Sequence, residues 1–220
     1  MKHIFTFLLF APFALAAQSI DITVKGGVIG GSAYFKASDY FAAPKPQSDN
    51  NGGPIGPGFA LGISAPLSGK FYIGTELGML SFNTSVNQTL TDESVSRRYT
   101  GKNYNNYFYA ALVPEYRFRQ WGFVHAGVGI FRDVHNTFDG SANVGTSSEY
   151  VYGREFVRGY DLGYFVGGGF RPRLTKSLDF LLEARYTGLP TNKTGSGYLP
   201  VLGFHLVQVN IGLVYYLQQR

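Results

Sequence analysis

The chain has no cysteine, a single tryptophan and two methionines in 220 residues, and only 15% of its residues are charged. Without cysteine it can form no disulfide framework, no thiol-linked lipid anchor and no thiolate metal site. After the N-terminal residues no apolar run reaches the ~18 residues a membrane-spanning helix requires, which excludes a helical membrane protein. Phosphate-binding loops of Walker type, zinc-ligand spacings and dinucleotide fingerprints are also absent, because Gly167-Gly168-Gly169 precedes no helical pattern. Nineteen basic residues against 14 acidic ones are a mild excess, and without a basic cluster they do not point to nucleic acid.

What the chain does contain is 29 Gly, 19 Phe and 16 Tyr, with 45% hydrophobic residues and a mean hydropathy of −0.04. That is too apolar for disorder, and the aromatic share favours strands over helices. The length allows one domain built on one closed sheet. At the N-terminus Met1-Lys2-His3 is followed by an apolar run, Ile4 to Leu15, that closes on Ala14-Leu15-Ala16. A charged start, a short apolar core and an Ala-x-Ala end describe a secretory signal peptide over residues 1–16, leaving a domain over 17–220.

Beyond the signal the hydrophobic pattern has period two. In Leu178–Gly188 the residues Leu178, Phe180, Leu182, Ala184 and Tyr186 share one face, and Asp179, Glu183, Arg185 and Thr187 the other, with Leu181 as the exception. The last segment opposes Val207, Val209, Ile211, Leu213, Tyr215 and Leu217 to Gln208, Asn210 and Gly212. Eight such strands are expected, at about 20–36, 58–67, 70–85, 104–118, 121–136, 158–173, 177–188 and 204–218. The connections alternate between two or three residues and long polar stretches at 37–57, 86–103, 137–157 and 189–203, which are expected to be loops. Such alternation belongs to an up-and-down meander whose long and short connections lie at opposite ends.

A closed sheet with one apolar face is either a soluble barrel with that face inside or a membrane barrel with it outside. Glycines beside isolated charges, as at Gly163, Gly167 and Gly169 with Asp161 and Arg171, suit a narrow interior that needs small residues next to large ones. On the apolar face Tyr116, Phe118, Trp121, Phe170, Phe180 and Tyr215 lie toward the short turns, and Tyr104, Phe108 and Tyr186 toward the long connections. Two aromatic levels are what the headgroup regions of a bilayer select. The end of the chain, Asn210-Ile211-Gly212-Leu213-Val214-Tyr215-Tyr216-Leu217, resembles the C-terminal signal by which membrane barrels are recognised for insertion. Its elements are Asn210, Gly212, Tyr215 and Leu217, although the chain continues to Gln218-Gln219-Arg220 rather than ending on an aromatic.

With a signal peptide, eight alternating strands, short turns opposed to long connections and this last strand, the sequence resembles the small bacterial outer-membrane β-barrel family of OmpA-domain and OmpX type. The resemblance covers nearly all of residues 17–220. It implies an all-β fold, an eight-stranded antiparallel up-and-down transmembrane β-barrel, with periplasmic termini, four extracellular loops and insertion by the barrel-assembly machinery. The other partners expected are outer-membrane lipids and a loop ligand the sequence does not identify, for a monomer that does not bind nucleic acid. Fold alone says little about activity.

In such a barrel, parity places Lys25, Glu76, Glu115, Arg117, His125, Arg171, Glu183 and Arg185 in the lumen. The Glu-x-Arg pairs at 115–117 and 183–185 set both charges on one face of their strands. Charges in a narrow interior require partners, so the expectation is a salt-bridged, closed lumen, with a gated ion path or narrow small-solute pore as the alternative. A lipid A-modifying enzyme is the third reading. Its candidates are His135 and His205, with Asp133, Asp139 or Ser196 nearby. Arg185-Tyr186-Thr187-Gly188-Leu189-Pro190-Thr191-Asn192 faintly resembles the Arg-Tyr-x-His-x-Ser-Asn stretch of the outer-membrane deacylases, but Gly188 and Pro190 stand where the base and nucleophile belong. A non-enzymatic structural or surface-interaction role is therefore expected, with no catalytic residue, cofactor or metal. Tyr99, Tyr150, Tyr152 and Tyr198 are the candidate contact residues of the loops.

Overall fold

Strict alternation, punctuated by Gly and Pro, builds antiparallel strands that pair with their sequence neighbours. The computed structural model describes residues 19–35, 52–92, 95–118, 121–144, 147–155, 160–189 and 202–217. Its strands are β1 (Asp21–Phe35), β2 (Gly56–Ser68), β3 (Phe71–Asp92), β4 (Val95–Phe118), β5 (Gly122–Val144), β6 (Ser147–Glu155), β7 (Tyr160–Phe170), β8 (Leu178–Leu189) and β9 (Leu202–Tyr216). Pairing runs from β1 through β2, β3, β4 and β5 to β7, then through β8 and β9 back to β1, so the antiparallel sheet closes on itself. Strand β5 is shared: Gly122–Arg132 pairs with β7, and Asn136–Val144 with β6.

Two of the expected loops are strands. The ladder between β3 and β4 runs without interruption from Phe71↔Tyr116 to Asp92↔Val95, through residues 86–103. Likewise β5 and β6 pair from Asn136↔Glu155 to Val144↔Ser147, inside the stretch 137–157. These segments are predominantly polar in sequence, so hydrophobic alternation does not reveal them. Their Thr, Tyr and Val residues nevertheless favour extended backbone, and β4 and β5 also pair with each other from Tyr104↔Thr137 to Arg97↔Val144, so β3, β4, β5 and β6 continue above the barrel as one four-stranded sheet. Among the described residues nine strands stand where eight are expected, because β6 precedes β7 as a separate strand. Residues 36–51 and 190–201 of the other two long connections, and the expected signal peptide, lie outside the described residues.

The short connections, the start of β1 and the end of β9 lie at one end, hereafter the lower end. Ser68 and Phe71 flank a tight turn in which Gly69 has φ 55°, a left-handed conformation that favours glycine. From these turns the two faces separate as expected. Along β8, Asp179, Leu181, Glu183, Arg185 and Thr187 are buried while Phe180 and Leu182 are exposed. Along β9, Val207, Val209, Ile211, Leu213, Tyr215 and Leu217 are exposed and Gln208, Asn210, Val214 and Tyr216 buried. The outer wall is thus apolar and the interior carries the charges.

Glycine makes the interior fit. Gly167 pairs with both His125 and Arg185, Gly169 with Glu183 and Phe123, and Gly127 with Phe165, so a large inward side chain faces a neighbour with none. A Cβ on Gly127 would come within 2.3 Å of the Phe165 ring, and one on Gly167 within 2.6 Å of His125 Nε2. None of the described segments is a helix long and apolar enough to cross a membrane, which says nothing of strands.

Candidate functional site

Eight of the inward charges form two clusters, and Asp133, Asp161 and Asp179 are buried outside them. In the upper one, β1 supplies Lys25, β3 Glu76, and β8 Glu183 and Arg185. Lys25 Nζ lies 2.7 Å from Glu76 Oε2 and 2.7 Å from Glu183 Oε2. Arg185 donates to Glu76 through both terminal nitrogens, Nη1 to Oε1 at 2.6 Å and Nη2 to Oε2 at 2.9 Å. Its Nε lies 2.9 Å from Glu183 Oε1, an ion-pair contact without the angle of a hydrogen bond. Tyr109 of β4 donates its hydroxyl to Glu76 Oε1 at 2.6 Å, and Asn210 of β9 donates to Glu183 Oε1 at 3.0 Å. Two cations meet two anions, so this buried cluster is neutral.

The lower cluster repeats that balance. Arg171 grips Glu115 with two nitrogens, at 2.9 and 2.5 Å, and Arg117 Nε donates to Glu115 Oε1 at 2.6 Å. Arg117 Nη1 lies 2.6 Å from Asp21 Oδ2, and its guanidinium carbon is 3.3 Å from the centre of the Tyr72 ring. Here Arg117 and Arg171 balance Glu115 and Asp21. His125 stands between the clusters, with Nδ1 4.0 Å from Glu183 Oε2 and its ring near Phe123 and Phe165. At the bottom Tyr216 hydrogen-bonds Asp179 through its hydroxyl.

All eight residues expected in the lumen are buried there, and each makes an ion-pair or hydrogen-bond contact within one of the two clusters or, for His125, stands between them. Three participants escape the parity argument as first drawn. Asp21 sits at the start of β1, where the expected strand had barely begun, although it shares a face with Lys25. Tyr109 looks like one more aromatic, and Asn210, taken as part of the insertion signal, turns its amide inward to Glu183. Gly212 of that signal pairs with Lys25, and Tyr215 and Leu217 lie exposed on the outer wall.

Above the charges the interior changes character. Further up the same strands come Ile29 on β1, Leu80 and Phe82 on β3, Phe131 on β5 and Leu189 on β8, packed with Tyr107, Phe165, Phe204 and Leu206. Phe82 meets Phe204 edge-on at 4.9 Å between ring centres, and Tyr109 stacks on Phe131 at 5.0 Å. The Arg185 guanidinium lies 4.1 Å from the centre of the Phe165 ring, joining the layers by a cation–π contact. A paired charge layer thus lies under an aromatic layer, in which Asp133, Asp161, Thr187 and Gln208 are also buried.

The remaining candidates scatter. His135 is within 2.8 Å of Thr137 Oγ1, and His205 bonds the Tyr186 hydroxyl on the outer wall while stacking on its ring. Asp133 is buried in the interior, Asp139 lies on the upper part of β5, and Ser196 and Tyr198 lie outside the described residues. Tyr99, Tyr150 and Tyr152 belong to β4 and β6, not to loops. No group of three potential metal ligands occurs among the described residues.

The hub is Glu76, and its hydrogen bond from Tyr109 can be removed with little change of shape. Tyr109→Phe is expected to lower the unfolding free energy by about 1.5–3 kcal/mol, the range for a buried bond to a charged group. Urea titration of the folded protein followed by Trp121 fluorescence checks it, and a change within about 0.5 kcal/mol refutes it.

No family model matches the chain, and no curated protein does. Among solved structures it is similar to Ail, the attachment invasion locus protein of Yersinia pestis, in complex with the heparin analogue sucrose octasulfate, at 12% identity and a TM-score of 0.44 over 90% of this chain and 99% of that one. It is also similar to Neisserial surface protein A, at 10% identity and a TM-score of 0.41 over 90% of this chain and 98% of that one. The outer membrane protein OprG from Pseudomonas aeruginosa is similar at 11% identity and a TM-score of 0.42, over 93% of this chain and 99% of that one.

Proposed function

We propose that the protein is an integral outer-membrane barrel of eight staves, β6 and β7 together forming one, with a closed lumen and a structural or surface-interaction role rather than an enzymatic one. One observation carries the reading: charged side chains are buried inside, eight of them in two neutral clusters, while the outer wall is apolar apart from Arg132. In water that arrangement would expose Val24, Val28, Phe59, Leu162, Val166 and Ile211 around the barrel, far beyond the patch a soluble monomer tolerates. In a bilayer it is the favoured one. Exposed aromatics bound the wall at two levels: Phe71, Phe118, Trp121, Phe170, Phe180 and Tyr215 below, and Phe59, Tyr104, Phe108 and Tyr160 above.

In this reading the signal peptide exports the chain, the barrel-assembly machinery inserts it, and the lower end with both termini faces the periplasm. The β3–β4 and β5–β6 hairpins then project outside as the surface that meets partners, in a monomer whose walls touch outer-membrane lipids. The aromatic layer above the paired charges supports a plug rather than a pore.

Two measurements test this. The purified protein is expected to require detergent and to run at different positions on a gel before and after boiling; a protein soluble without detergent and unchanged by boiling refutes the membrane barrel. In planar bilayers the folded protein is expected to give no conductance steps. Steps that vanish in Glu183→Gln would establish the pore instead.

A further inference from the structure

Among the described residues, Arg132 is the one charged side chain on an otherwise apolar stretch of the outer wall. At one level across four strands, Met79 pairs with Phe108, Phe108 with Arg132 and Arg132 with Tyr160, all facing outward. One row lower, Leu77, Ala110, Ile130 and Leu162 are partners in the same order. Because Ala110 is small between Leu77 and Ile130, the wall is hollowed below Phe108 into a groove of about 690 Å³ that reaches Phe59, Leu61 and Val24. That volume lies in the range of small-molecule sites, and the lining is mostly apolar: besides Arg132 and the Tyr160 ring at its upper end it includes Lys25 and Tyr109, whose polar ends are engaged by Glu76.

Arg132 is exposed, its guanidinium carbon lies 5.8 Å from the centre of the Tyr160 ring, and among the described residues no carboxylate lies within ion-pair distance of it. Asp133 and Asp161, its neighbours in sequence and register, are buried on the opposite face of the sheet. An outward arginine gains nothing from lipid tails and is tolerated near an interface, where a planar guanidinium matches a phosphate. It stands level with Tyr160 and Phe108 of the upper aromatic belt, directly over the groove.

We infer that this groove is a lipid site: it seats an acyl chain of one phosphate-bearing lipid, whose phosphate pairs with Arg132 beside the Tyr160 ring. The inference rests on the membrane reading above and adds a specific lipid to it. Charge complementarity selects the occupant, since a neutral lipid would leave the guanidinium unpaired and a free phosphate would leave the apolar groove unfilled.

Native mass spectrometry of the detergent-solubilised full-length chain, titrated with dioleoyl phosphatidic acid or dioleoylglycerol, tests it. Boiling-dependent gel migration is recorded first for every variant, so a failure of the barrel itself is seen separately. One phosphatidic acid is expected to stay bound at concentrations about tenfold or more below those needed for dioleoylglycerol. Arg132→Gln is expected to erase that preference, and Ala110→Leu, which fills the groove, to weaken both lipids. Millimolar inorganic phosphate is not expected to displace the lipid. Equal retention of both lipids, an unchanged preference in folded Arg132→Gln, or displacement by inorganic phosphate overturns the inference.

Discussion

Replacing Glu76 by Leu is expected to cost about 3–5 kcal/mol of unfolding free energy, the range for removing one partner of a buried ion pair. Glu76 receives Arg185 through two nitrogens, Lys25 through one and the Tyr109 hydroxyl, so its loss leaves two cations facing only Glu183. The residue is 5% exposed, and Lys25 and Arg185 are buried with it. Glu76→Leu with Arg185→Leu restores neutrality, because Lys25 and Glu183 remain as a pair at 2.7 Å. The double variant is therefore expected to recover a large part of what the single variant loses, a coupling that exceeds additivity by 1 kcal/mol or more. Urea unfolding of the four proteins of that cycle in lipid vesicles measures it. Additive effects would mean that the cluster does not act as a neutral unit, and a single-variant loss below about 1 kcal/mol would mean that water reaches the lumen.

The parts of this lumen that could be read from the sequence are those governed by parity. Once β8 is recognised by its alternation, Glu183 and Arg185 must face the same way, and the same rule places Lys25, Glu76, Glu115 and Arg171. Parity says which face a residue is on but not how far round the barrel its tip reaches. The meeting of Lys25 from β1 with Glu76 from β3, and of Arg171 with Glu115 from β4, depends on the stagger of the closed sheet, which no single strand encodes. The apolar upper layer was hidden for a related reason. Phe131, Phe165 and Phe204 share faces with polar residues of their own strands, so in the sequence they look like breaks in the pattern. They become one layer only when register brings them together.

The hairpin extensions mark where hydrophobic reading ends. Below Tyr104 and Asn136 each residue has an apolar or a polar environment to match, and the pattern follows. Above them the sequence turns polar, so Asn87, Thr89 and Arg98 carry no hydrophobic alternation even though Asn87↔Thr100 and Thr89↔Arg98 are regular ladder pairs. Arg98 also donates its Nε to Asn87 Oδ1 at 3.3 Å across the hairpin. Proline is the stronger sequence sign of an interruption, and the stretch 37–57 holds four prolines. Neither proline nor glycine occurs between Val86 and Thr100, and that absence was the available sign of a continuing strand.

A charge introduced on the outer wall decides which solvent that wall meets, with an effect as large as the loss of Glu76. Val128 on β5 lies four residues above Val124 and four below Arg132, in the middle of the apolar wall, and is 57% exposed. On a soluble barrel Val128→Arg would be a surface change within about 0.5 kcal/mol. In a bilayer an outward arginine near the midplane costs about 2–4 kcal/mol, falling to about 0–1 kcal/mol at the interface. Ile55, 66% exposed at the upper rim just before β2, supplies the interfacial control. In unfolding from lipid vesicles, Val128→Arg is expected to lose about 2–4 kcal/mol and Ile55→Arg less than about 1 kcal/mol. Equal and small losses at both positions would show that the wall does not face lipid. The contrast between the positions, rather than either loss alone, carries the test, because overall damage from an arginine would not follow depth along the strand.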